Sequence, residues 1–101
     1  MKDAPSACAA IQAASTEPEV ISIVRAYLSS QSAEKVAMIP GDVMALGINY
    51  AKEVAQAALE VARREAQVAA DAPEASFLRE TGRVLATAAM RLVVLATGAE
   101  A

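Results

Sequence analysis

The plainest pattern in the chain runs over residues 50–70, where apolar positions recur at helical spacing with no proline or glycine among them. At about 100° per residue, Lys52, Glu53, Gln56, Glu60, Arg63, Arg64, Gln67 and Asp71 crowd into roughly a third of the circumference. The rest of the wheel is apolar, with Glu65 the one exception. A helix is therefore predicted over 50–70, with a buried arc wider than half its surface.

A second long helix is predicted over 74–97. Leu78, Thr81, Leu85, Ala88, Leu92 and Leu95 form its main stripe, and Gly98 supplies the stop. Between the two, Asp71-Ala72-Pro73-Glu74 combines a capping aspartate, a first-turn proline and a carboxylate three residues on. So short a connection makes the pair an antiparallel hairpin. Ala51, Ala55, Ala58, Ala62, Ala66 and Ala69 form a ridge of methyl groups on the first helix, and Gly82, Ala86 and Ala89 are expected to face it. Small side chains let two helices approach closely, which accounts for a glycine in a helix interior.

Ahead of the hairpin, Thr16-Glu17-Pro18-Glu19 has the form of a capping box. Val20, Ile21, Ile23, Val24, Tyr27 and Leu28 then repeat at helical spacing, which outweighs the strand preference of the β-branched VISIV run. Ser32 caps a short turn of helix through Met38, and Pro40-Gly41 ends it. Asp42 and Asn49 are both competent caps for the long helix, and a loop to about residue 48 is favoured. The first fifteen residues read as a loose end with a frayed helix around 7–14. The fold class is thus all-α. A small helical bundle is expected, with a long antiparallel hairpin (about 50–70 and 74–97) and one or two shorter N-terminal helices, in a single domain over 1–101.

Composition adds an association argument. Of 101 residues, 55% are hydrophobic and only 3% aromatic, so the core must be built from Ala, Val, Leu, Ile and Met. That apolar content exceeds the roughly 45–50% of ordinary soluble domains, and a domain this small has little interior in which to place it. Met90 and Val94 fall on the side held by Arg79 and Arg83 further up the last helix, so its polar face runs out. Residues 90–96 are apolar nearly all round, with Arg91 the one charge. Met90, Arg91 and Val94 are therefore the candidate interface for a second copy or a partner helix, and a homodimer is expected.

The chemistry is sparse. Histidine is absent and Cys8 is the one cysteine, so no disulfide closes within the chain and no conventional zinc or iron site can be assembled. No metal or cofactor is expected, and a reducing cytoplasm is the natural compartment. Ser6-Ala7-Cys8 has the look of a lipoprotein cleavage box, but no hydrophobic run precedes it. The most apolar run, 84–96, falls short of the ~20 residues of a spanning helix, so no membrane role is expected. A formal charge of −3 argues against nucleic acid as a partner.

Glu65 on an apolar arc raises two readings: a general acid or base, or one half of an ion pair. No second catalytic group stands at a useful spacing, and counting outward from Ala72 puts Arg79 opposite, so a buried Glu65–Arg79 pair is predicted. Arg63, Arg64, Arg79 and Arg83 are neutralised by Glu60, Glu65 and Glu80 and read as a solvated face. Cys8 reads as an inert small side chain. The favoured function is a non-enzymatic helical protein–protein interaction module, homodimeric, of adaptor or chaperone-like type. A small helix-turn-helix DNA-binding regulator, with 33–38 as its recognition segment, ranks second, and an enzyme without a recognisable site third.

Overall fold

The computed structural model describes residues 3–31 and 54–98, which form four helices and no strand: α1 (Ala4–Ala13), α2 (Glu17–Ser29), α3 (Val54–Gln67) and α4 (Pro73–Thr97). The all-helical expectation therefore holds. The expected short helix ending at Met38, the recognition segment 33–38 and the two candidate starts at Asp42 and Asn49 lie outside the described residues.

α1 is a capped and docked helix, which corrects the expectation of a frayed end. Asp3 accepts from the Ser6 backbone N–H at 3.1 Å and from the Ser6 hydroxyl at 2.8 Å. Those bonds hold its carboxyl below the ordinary value. Ala4, Ala7, Cys8 and Ile11 then form a buried stripe at spacings of three, one and three. Alanines carry a weak amphipathic signal, so the stripe is hard to see in the sequence. The far end of α1 is held by Arg91, which donates from Nε and Nη2 to the Ala14 carbonyl at 2.9 and 2.6 Å.

α2 begins at the expected cap, since Thr16 Oγ1 accepts from the Glu19 N–H at 3.3 Å. The return bond differs by one residue: Glu19 Oε2 accepts from the N–H of Ser15 at 3.1 Å. At the other end the Tyr27 carbonyl accepts from the Ser30 hydroxyl at 2.8 Å and from Gln31 Nε2 at 3.0 Å. Val20, Val24, Tyr27 and Leu28 form its buried face.

α3 ends at Gln67, a turn follows, and α4 starts at Pro73 with Ala72 as its N-cap and no side-chain cap bond. The expected Asp71 cap is thus replaced. Proline and an extended Ala72 start the helix by backbone conformation alone, and Glu74 in the first turn favours the positive end of the dipole. At the C-terminus Gly98 adopts φ 68°, and its N–H closes on Val94 O at 3.0 Å. α4 has 25 residues, about 37 Å at 1.5 Å per residue, and accounts for most of the 42 Å long axis of the molecule.

The core gathers on one side of α4. Leu78, Thr81, Val84, Leu85 and Ala88 are buried against Ile11 of α1, Val20, Val24 and Tyr27 of α2, and Ala57 and Val61 of α3. Contacts between α3 and α4 pair Arg64 with Glu74, Glu65 with Arg79, and Val61 with Gly82. A methyl group added at Gly82 would meet Val61 Cγ1 at 3.4 Å, an ordinary van der Waals contact, so α3 runs close to α4 at this position.

Two polar groups interrupt this core. The Tyr27 and Thr81 hydroxyls are buried, and neither has a partner in hydrogen-bonding geometry. Burial pushes the Tyr27 phenol above its ordinary value of 10.0, and the Thr81 hydroxyl, close by but outside hydrogen-bonding geometry, offsets part of that. The fold therefore favours the neutral phenol. Stability present below pH 10.0 is lost as the pH rises through the raised folded value. Tyr27→Phe and Thr81→Val each remove an unsatisfied hydroxyl at little cost in shape, so each should leave the unfolding free energy in urea unchanged or raise it by up to ~1–2 kcal/mol. A loss beyond ~1 kcal/mol in either variant would mean that the hydroxyls bond one another in solution. Tyr27→Phe should also flatten the alkaline fall in thermal midpoint, measured by circular dichroism from neutral pH upward.

Candidate interaction surface

The apolar arc of α3 is wider than its contact with α4 can cover. Ala57 and Val61 are fully buried, while Ala58 and Val68 are half-buried against the core. Ala55, Ala62 and Ala66 are exposed. The expected contact through the alanine ridge is therefore displaced, with α3 rolled by roughly 100° about its axis. Burying Val61 and Val68 removes more apolar area from water than burying alanine methyls does.

The roll leaves part of the ridge facing outward, beside the outer strip of α4. Leu59 is 64% exposed, Met90 71% and Val93 62%, a concentration of large apolar side chains that a monomer would ordinarily cover. Between the helices lies an open groove of about 620 Å³, lined by Ala58, Ala62, Gly82 and Ala86 with Leu59 and Met90 beside them. Glu65, Arg79 and Arg83 line the same groove.

Of the residues singled out from sequence, Glu65 and Arg79 are brought together: Arg79 Nε donates to Glu65 Oε2 at 3.2 Å. The expected burial is not found, since the two side chains are 30% and 63% exposed. Arg79 belongs to the outer strip of α4 and reaches the carboxylate from the solvent side, keeping its charged head in water. Two further ion pairs flank it, Arg63–Glu60 at 2.9 Å and Arg64–Glu74 at 4.0 Å.

Met90, Arg91 and Val94 surround a smaller cleft of about 230 Å³ together with Gln12 and Thr87. The three differ in exposure and direction. Met90 borders both cavities, Val94 is half-buried, and the Arg91 guanidinium turns inward to the Ala14 carbonyl. Cys8 is buried with its sulfur 3.5 Å from Thr87 Oγ1. Leu59 and Val93 were not picked out from sequence. Their signal was the width of the apolar arc, which does not say which half of it a neighbouring helix covers.

Among the described residues no group of three Cys, Asp or Glu side chains is placed to hold a metal ion, and no helix is long and apolar enough to cross a membrane. The chain matches no protein-family model, and comparison with curated proteins and with solved structures finds no significant match.

An exposed ion pair contributes little. A double-mutant cycle with Glu65→Gln and Arg79→Ala should therefore give a coupling of ~0.2–1 kcal/mol, falling as salt is raised. A coupling of ~3 kcal/mol or more would place the pair in a desolvated setting.

Proposed function

We propose that this chain is a non-enzymatic helical protein–protein interaction module that works as a homodimer, with α3 and α4 forming an antiparallel hairpin whose open apolar flank is covered by a second copy. The observation that supports this reading is the exposure of Leu59, Met90 and Val93 along one side of the hairpin. Small residues lie beside them, so a second helical surface can come close. A second copy suits the composition, because an apolar excess carried by every chain is covered by pairing like with like. An adaptor or chaperone-like role follows from the same surface, since a face that accepts one helix pair can exchange it for another.

The area limits the strength of such a dimer. The exposed strip runs over about twelve residues of each helix, ~18 Å long at 1.5 Å per residue, and two helices side by side give a width of ~20 Å. The footprint is about half of the ~800 Å² per partner typical of stable complexes, which is itself about a seventh of the 5677 Å² surface of the chain. A micromolar dimer is the expectation.

Light scattering at about 50 μM should give a mass above one 10.4 kDa chain and approaching two, declining on dilution. Met90→Glu should return it to one chain by placing a charge in a desolvated contact, with the thermal midpoint of the dilute protein unchanged. A wild-type mass of one chain at that concentration would remove the dimer reading.

A further inference from the structure

The groove between α3 and α4 is flanked by the side chain best shaped to fill another copy of it. Leu59 is 64% exposed and stands beside Ala55, Ala58 and Ala62 on its own helix, with Ala86 and Gly82 across the groove. A large knob and a hole lined by small side chains therefore sit together on one face. Such a face is self-complementary: if residue i of one copy contacts j of the other, a two-fold axis makes the reverse contact as well. Resting on the dimer reading above, we infer that the occupant of the groove is the partner's Leu59, each copy donating one leucine and receiving one.

The size of the footprint supports this occupant. An interface of about half the standard area needs a central anchor in a desolvated pocket, because energetically weak rim contacts alone do not hold two proteins together. Within the groove the alternatives are methyl groups, a glycine, the charged trio at one end and Met90 at the edge. Leu59 lies in the middle of the stretch from Ala55 to Glu65, where the alanines leave the most room on both sides. The charged end also favours a small interface. Arg79 and Glu65 already pair with one another and the Arg83 side chain is exposed to water, so a contact confined to the apolar stretch need not desolvate this end.

The test pairs a knob deletion with a hole filling, both on the full chain and read by sedimentation or light scattering across a concentration series. Leu59→Ala removes the knob, and Ala86→Leu, at an exposed position, fills the hole. Each should weaken dimerisation by at least about tenfold, the effect of losing one central anchor, while leaving the thermal midpoint of the dilute protein unchanged. If the wild type dimerises and both variants dimerise equally well, the copies meet through another surface, and this inference falls while the dimer reading stands. If the wild type is a single chain throughout the series, both fall together. Should Leu59→Ala weaken the dimer and Ala86→Leu leave it unchanged, Leu59 sits outside the groove and the inference is again overturned.

Discussion

α4 packs with each of the other three described helices, so a single apolar circumference has to be divided among three partners. Leu78, Leu85 and Ala88 lie deep in the shared core, the Thr87 side meets α1 through Cys8, and the Gly82 side meets α3 through Val61. A 25-residue helix can serve this way because its apolar stripe continues without a break while its polar positions are few. Removing that stripe would leave α1 and α2 with one another and α3 without a partner of comparable extent among the described helices. Most of the stabilising burial in the described residues is organised around α4.

The three attachments differ in physical kind. α2 and α3 are held by dispersion and hydrophobic burial through branched side chains, Val20 and Val24 on one and Val61 on the other. α1 is largely alanine on its buried face, so it gains less from apolar area, and Arg91 supplements it with a charge-assisted contact to the Ala14 carbonyl. That use of Arg91 explains how a charge is accommodated in an otherwise apolar stretch of α4. It satisfies a carbonyl at the end of α1 that the helix itself leaves open.

The exposed flank follows from the same division. α3 turns Val61 to α4 and leaves alanines and Leu59 outward, so the surface proposed for a second copy consists of what the packing of α3 on α4 did not use. Its small side chains offer little apolar area each but allow a close approach, a combination suited to a weak and reversible contact. The ion pairs along α3 keep its remaining face solvated and add little stability.

Local chemistry made several elements legible in the sequence alone. Thr16 caps α2, Pro73 opens α4 and Gly98 closes it, because each acts through its own backbone or the next turn. The helical stripe from Leu78 to Leu95 was legible for the same reason. Tertiary structure decided the rest. A periodic pattern says that an arc of α3 is apolar without saying which half another helix covers, and the choice of Val61 over Ala62 depends on the volumes facing it across the interface. The inward turn of Arg91 depends on a carbonyl 77 residues away, and the Glu65–Arg79 pair could be placed by counting from the turn while its exposure could not. Exposure is set by which surfaces other helices cover, and that is a property of the assembled fold.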